Sequence, residues 1–285
     1  MSERVIITGS EGTIGKVLTG FTSAEGERPR LDATITRVDA RPARGSRSAE
    51  HLGRGYNRPA YHDTRNSFIQ DNLGNDQTIA GFLQTHSTWI HAAWGGEGAI
   101  DPASHNPENL QIVRRILRVQ AELGDKALCK LVLPSSVNAH VPINWKRRQA
   151  SGEMISAHET PTPFRHNRQS TPGIGFTRYG QSKIAMEKAA QTAAAVDRLD
   201  IVIPRLGAVN LADRQPAGYA PHIAVAESDD GRFFDLGWED AVHLRHEDLV
   251  ANIQAIVDAP YVAGHFALYN LVSDTNARVH ELQPS

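Results

Sequence analysis

A single cysteine, Cys129, stands among 285 residues. It excludes an intramolecular disulfide and any metal site built on several cysteines. No apolar run is long enough to span a bilayer. Neither sign of charge dominates, with 30 basic residues against 32 acidic ones, so electrostatics make no case for nucleic acid or a membrane surface as partner. Three catalytic signatures are missing as well. The chain has no Gly-x-Ser-x-Gly nucleophile turn of an α/β-hydrolase, no Walker lysine after a glycine turn and no His-Glu-x-x-His pair. His243 and His246 stand three apart and read as solvated or capping residues, so no metal site is expected. The first apolar run begins within a few residues of the start, which leaves no room for a signal peptide and points to the cytoplasm. A chain of this length suits one large α/β unit with a small appendage.

What is present begins at Val5-Ile6-Ile7, followed by Gly9, Gly12 and Gly15 and by Ile14, Val17 and Leu18 at helical spacing. That order reads strand, tight turn, helix. Glycines let the backbone come close to a ligand and adopt φ values closed to other residues. Backbone N–H groups at the start of the helix point into the turn, where a pyrophosphate fits. Gly9, Ser10, Gly12, Thr13, Ile14 and Gly15 are therefore the candidate dinucleotide contacts. The next strand ends at Asp39, whose carboxylate is placed to hydrogen-bond a ribose 2′-OH and to repel a 2′-phosphate. This favours NAD over NADP, although Arg41 and Arg44 just beyond offer a phosphate a partner. Tyr61-His62-Asp63 brings a second carboxylate to the end of a third strand. Asp63 there is either a contact to the adenine amino group or an ordinary turn residue. The fourth strand runs into Ala92-Ala93, small side chains that let a cofactor lie close over the sheet.

Strands are expected over 4–8, 33–39, 57–62, 88–93, 128–134 and 200–206, and helices over 13–23, 75–85, 106–124 and 178–197. Such alternation is the pattern of a Rossmann-type, doubly wound parallel sheet covered on both faces. Residues 141–177 break the rhythm. Pro142, Pro161, Pro163, Pro172, Gly173 and Gly175 argue against a long regular element there, and a loop of that size reads as a substrate-covering lid or a surface excursion. The expected organisation is a dinucleotide-binding domain over 1–210, carrying the catalytic residues and the lid-like insertion 141–177. A small substrate-binding segment over 211–285 packs on the same domain.

Tyr179-Gly-Gln-Ser-Lys183 is the second informative motif. A spacing of four puts Tyr179 and Lys183 on one helix face. A lysine cation beside a phenol stabilises phenolate and lowers its pKa from about 10, so the tyrosine can act as acid or base near neutral pH. Ser135-Ser136 follows the strand Lys130-Leu131-Val132-Leu133-Pro134. A hydroxyl at a strand's carboxyl end faces the crevice where open α/β sheets bind ligands.

Taken together, these residues resemble the short-chain dehydrogenase/reductase superfamily, in its extended, NAD-dependent epimerase/dehydratase branch. The resemblance is carried by Thr8 to Gly15, Asp39, Asp63, Ala92-Ala93, Asn109, Ser135-Ser136, Tyr179 to Lys183, Arg205 and His246-Glu247-Asp248. It implies Ser136 as the catalytic serine and Tyr179 as acid/base. Lys183 would bind the ribose hydroxyls and lower the tyrosine pKa, and Asn109 would help hold an active-site water and the lysine. Within the branch, Ser135-Ser136-Val137-Asn138, Arg205-Leu206-Gly207-Ala208 and Leu244-Arg245-His246-Glu247-Asp248 look most like uronate dehydrogenases. Those oxidise the anomeric carbon of a hexuronic acid with NAD. The chain departs from them at Val137-Asn138, where the family has Asn-His, and at Ala208, where it has serine. Arg214 stands in for the arginine that meets the substrate carboxylate. Ser136, Val137, Asn138, Ala208 and Arg214 are thus the expected substrate contacts.

The resemblance implies an oxidoreductase of a sugar, uronic acid or related polyhydroxylated small molecule, and a homodimer through the helices at 106–124 and 178–197. Two rivals stand beside it. One is a nucleotide-sugar epimerase or dehydratase that uses NAD transiently, for which the part after the sheet is short. The other is a non-catalytic dinucleotide-binding protein, against which the Ser136, Tyr179, Lys183 set speaks.

Overall fold

The computed structural model describes residues 3–20, 30–40, 66–94, 108–140, 145–161, 171–209 and 243–273. Strand β1 (Arg4–Thr8) runs into helix α1 (Thr13–Leu18), followed by β2 (Thr34–Asp39), β3 (Asn66–Gln70), α2 (Asp76–Thr85), β4 (Thr88–His91) and α3 (Glu108–Leu123). The chain continues through β5 (Lys130–Val132), β6 (Ser135–Ser136), α4 (Trp145–Ser151), α5 (Thr171–Asp197), β7 (Ile201–Leu206), α6 (His246–Asp258) and β8 (Phe266–Leu271).

Among the described residues every strand pairing is parallel, in the order β3-β2-β1-β4-β5-β7, with β8 on the far side of β7. β5 and β6 lie on the same side of β7, through Leu131↔Ile201 and Ser135↔Arg205 respectively. They form one strand interrupted near Pro134, which has no N–H to give a ladder. The strand order reverses between β1 and β4, and ligands of open α/β sheets bind at that switch point.

Parallel strands need cover on both faces, and alternate side chains of one strand serve the two layers. Ile6, Trp89, Leu131 and Ile203 pack with Ile79 and Leu83 of α2, Val113 and Ile116 of α3 and Met186 and Ala190 of α5. Val5, Ile7, Ile90 and Val132 pack against Val17 and Leu18 of α1 and Leu249 and Ile253 of α6. Cys129 is fully buried, and burial pushes its thiol pKa up, so it stays a protonated apolar side chain.

Three sequence expectations are corrected here. The strand expected at 57–62 is not among them, since it lies outside the described residues; the third described strand is Asn66–Gln70. Among the described strands it pairs only with β2 and is largely exposed, so its residues need no apolar run. Helix α1 stops at Leu18 rather than at residue 23. Gly20 takes a φ of 76°, the left-handed turn that ends helices, while the Thr19 hydroxyl donates back to the Gly15 carbonyl at 2.9 Å. Helix α5 opens at Thr171, seven residues earlier than 178, so Pro172, Gly173 and Gly175 are helical. Proline is tolerated in a first turn, whose N–H groups have no partner inside the helix. Finally, the sheet continues beyond residue 210. β8 joins β7 over six residues, and α6 covers one face.

Candidate active site

The glycine turn is fixed by how close its backbone comes to neighbouring chain. Gly9 has a φ of 75°, and a Cβ placed on it would lie 2.4 Å from the Ala93 nitrogen. A Cβ on Gly15 would lie 2.5 Å from the Ser10 Cα. Real Cβ atoms do not approach so closely, so neither position accepts a side chain without moving β4 or α1. The Gly9 N–H donates to the Val38 carbonyl at 2.8 Å, which seats the turn beside the end of β2. There Asp39, only 6% exposed, accepts a hydrogen bond from the Glu11 N–H at 2.9 Å. Glu11 is itself buried, with the Arg37 guanidinium 3.7 Å from its carboxylate, a pair not foreseen in the sequence.

A cleft of about 490 Å³ opens at this switch point. Thr8, Gly9 and Gly12 line it from the turn, Val38, Asp39 and Ala40 from β2, and Ala92, Ala93 and Trp94 from the end of β4. Asn109 and Ile112 close it from α3. Ser10 is buried, and Thr13 and Ile14 are the first residues of α1; none of the three is among the residues lining the cleft. The end of β3 contributes Asp71, Asn72 and Leu73. Asp71 therefore holds the strand-end position that sequence reasoning gave to Asp63, which lies outside the described residues, as does Arg214. The Asp71 carboxylate accepts from the Leu73 N–H in a tight turn with Leu73 at a φ of 58°.

Helix α5 carries Tyr179 and Lys183 across β6. Lys183 is 4% exposed, and its Nζ donates to the Pro134 carbonyl at 2.8 Å, two residues before Ser136. The ammonium also lies 3.9 Å from the centre of the Trp94 ring and 5.7 Å from that of Tyr179. Ser136 is buried, and its hydroxyl accepts from the Asn138 N–H at 3.2 Å, capping a short 3₁₀ turn over Val137–Ala139. Val137 is buried and Asn138 half-buried. Ala208 stands apart from this turn, bridged to His243 beyond the end of β7.

His91, the last residue of β4, is fully buried. Its Nδ1 lies 2.7 Å from the Thr8 hydroxyl, which also accepts from the Trp89 indole N–H at 3.1 Å. Burial, and then the charge of Lys183, hold its imidazole down to about 3, so it is neutral at physiological pH. His243 and His246, read as solvated or capping, are instead both buried. No cluster of three or more His, Cys, Asp or Glu able to hold a metal occurs among the described residues. None of their helices is long and apolar enough to cross a membrane.

Beneath the site lies a charged brace that the sequence reading missed. Arg205 is completely buried. It donates to Glu187 through Nε at 2.9 Å and Nη2 at 2.8 Å, and to the Ala157 carbonyl through Nη1 at 3.2 Å. The Ser135 hydroxyl donates to the same carboxylate at 2.6 Å. Two signals pointed to it: Glu187 continues the spacing of four from Tyr179 and Lys183, and Arg205 is the lone charge in an apolar strand.

Ala157 belongs to a stretch after α4 that packs down firmly. Ile155 is buried, with its carbonyl held by Asn270 Nδ2 at 3.1 Å. Glu159 is gripped by Arg148 at 2.8 Å and faces His140 at 3.3 Å. Burial works to raise the Glu159 carboxyl, but hydrogen bonds from Arg148, the Ser156 N–H and His140 outweigh it and hold the pKa down to about 2. The 145–161 stretch of the 141–177 insertion is thus a pinned strap.

No protein-family model and no curated protein sequence matches the chain. Solved structures do. A glucuronic acid dehydrogenase from Chromohalobacter salexigens superposes with a TM-score of 0.61 at 15% identity, covering 99% of this chain and 80% of that one. A uronate dehydrogenase from Agrobacterium tumefaciens gives 0.57 at 13% identity, over 98% and 80% of the two chains. A UDP-glucuronic acid 4-epimerase from Bacillus cereus, solved with a fluorinated UDP-sugar and NAD, gives 0.56 at 12% identity over 95% and 78%. What the chain shares with all three is the fold, a Rossmann-type α/β domain.

Proposed function

We propose that the chain is an NAD-dependent oxidoreductase acting on a CH–OH group of a sugar, uronic acid or related polyhydroxylated small molecule. The observation that carries this reading is the seat of Lys183. Its ammonium lies between the Tyr179 ring and Trp94, a wall of the cleft that the glycine turn forms, and is held by the carbonyl two residues before Ser136. The residues suit a dinucleotide. Gly9 and Gly15 leave no room for a Cβ, Asp39 presents a carboxylate at the end of β2, and Ala92-Ala93 form a low floor. The Asp39 carboxylate would hold ribose hydroxyls and disfavour a 2′-phosphate.

NAD bound at the glycine turn and Asp39 would supply hydride-acceptor chemistry. The chain's own residues handle the proton. Ser136 orients the substrate oxygen by a hydrogen bond. Tyr179 takes the hydroxyl proton as phenolate, a state favoured by the Lys183 cation. Asn109, at the start of α3 on the cleft wall, helps position the lysine and a water. Uronic acids head the list of substrate classes because uronate and glucuronic acid dehydrogenases share this fold over nearly the whole chain. The test is to follow NADH absorbance while screening uronic acids, neutral sugars and small polyols. Turnover with one class supports the reading. Absence of both turnover and dinucleotide binding would refute it.

A further inference from the structure

Lys183 must meet two demands. It must stay in place beside Tyr179, and it must keep its charge, because the field of that charge is what favours the phenolate. A carboxylate partner would meet the first demand and cancel the second, whereas a neutral partner meets both. Pro134 supplies a neutral carbonyl at 2.8 Å. His91 on β4 is an uncharged imidazole. Glu187, one turn further along α5, is engaged on both oxygens by Arg205 from β7. A further neighbour is Trp94, whose ring centre lies 3.9 Å from the ammonium. An aromatic face attracts a cation through its quadrupole and carries no net charge, and tryptophan does this best.

Trp94 is suited to hold something else in place. It follows Ala92-Ala93 at the end of β4 and packs against the apolar cluster that contains Val113 and Met186. It also lines the cleft beside Gly9 and Asn109. The indole is thus braced by the core on the lysine's own side of the sheet.

We propose that Trp94 is a positioning residue for Lys183, its indole face holding the ammonium between Tyr179 and the dinucleotide cleft without neutralising it. This rests on the NAD-dependent reading above for its consequence at the cofactor, but not for its consequence at Tyr179.

The test compares Trp94→Leu and Trp94→Phe with the native chain in two assays. The first titrates Tyr179 without cofactor, by phenolate absorbance after subtraction of the Tyr179→Phe chain. The second measures NADH dissociation by fluorescence. In the Leu chain the Tyr179 pKa rises by about one pH unit and NADH binds about threefold to tenfold more weakly. The Phe chain, which keeps a weaker aromatic face, falls between. A merely structural wall would not move the tyrosine titration, so an unchanged titration in a folded Leu chain overturns the proposal. If the native chain fails to bind NADH, the functional reading falls, while the Tyr179 titration still decides the role of Trp94. If the Leu chain does not fold, fluorinated tryptophan carries the test, since it weakens the negative ring face with little change in shape. The chain has four tryptophans, so a labelled Trp94→Phe chain serves as reference. A Tyr179 pKa that fails to rise on fluorination refutes the proposal.

Discussion

Replacing Arg205 by methionine should cost more stability than any other single change at this site. Arg205 is fully buried, and the side chain of its partner Glu187 is only 5% exposed. Without the guanidinium, the Glu187 carboxylate keeps the Ser135 hydroxyl at 2.6 Å and loses two charge-assisted bonds of 2.8 and 2.9 Å. Stranding one member of a buried ion pair costs about 3–5 kcal/mol. A domain holds only about 5–15 kcal/mol in all, so the variant should melt roughly 10 °C lower. The Arg205→Met, Glu187→Leu double variant removes the stranded charge as well as the pair. Apolar replacement of both partners is often neutral, so the double variant should be more stable than Arg205→Met alone. Urea and thermal denaturation of the native chain, both single variants and the double variant form the cycle. Arg205 also holds the Ala157 carbonyl, so the single variant should be cut faster within 152–161 by a protease under native conditions. A loss below about 1 kcal/mol, or single-variant effects that simply add, would show that the pair is not the brace described here.

Four further outcomes are expected. Tyr179→Phe should keep dinucleotide binding and lose about 10²–10⁴-fold in turnover, the usual contribution of a positioned acid or base; near-native rates would remove Tyr179 from the role. Asp39→Ala should raise kcat/KM with NADP relative to NAD, since the carboxylate that repels a 2′-phosphate is gone; an unchanged ratio would assign the preference elsewhere. Gly15→Ala should destabilise the chain and weaken dinucleotide binding together, because its Cβ would meet the Ser10 backbone at 2.5 Å; a native melting temperature would contradict the geometry. Native stability should fall with pH below the ordinary histidine pKa of about 6.5, because neutral His91 is held down to about 3. Its contribution is complete above pH 6.5 and lost as pH drops through 3, about 3 kcal/mol of it by pH 4.5. His140, also lowered by burial, contributes a loss of the same sign below pH 6.5, so the difference between native and His91→Gln chains isolates the share of His91.

The elements legible in the sequence are those whose pattern is set by burial on both faces. β1, β5 and β7 are built on Val, Ile and Leu, and β4 is buried along its whole length, because helices cover both sides of the sheet; each appears within a few residues of its expected place. β3 has no such run. As the edge of the described sheet it needs only backbone pairing with β2, and Asn66-Ser67-Phe68-Ile69-Gln70 carries little hydrophobic signal. The carboxylate at the end of this described strand is Asp71, which no apolar run announces, while Asp63 lies outside the described residues. The opening of α5 was hidden for the opposite reason. Pro172, Gly173 and Gly175 are strong breakers in a helix interior, but the same proline fits a first turn, and nothing local in the sequence says that the turn is the first.

The candidate site divides along the same line. Gly9, Gly15, Asp39, Tyr179 and Lys183 were legible because fixed spacings along one turn or one helix face place them, and such spacings survive in a linear string. Trp94, His91 and the Glu187–Arg205 brace depend on which strands lie side by side. Ser135 and Arg205 are 70 residues apart in the chain and face each other only because β6 pairs with β7. The 141–177 insertion shows what such contacts decide. From sequence it reads as a substrate-covering lid or a surface excursion. In the fold its described middle is fastened from beneath by Arg205 and Asn270 and clasped by Arg148 and His140 through Glu159. A stretch held at three carbonyl or carboxylate points, with Ile155 fully buried, is fastened to the sheet by contacts that only the folded chain brings together.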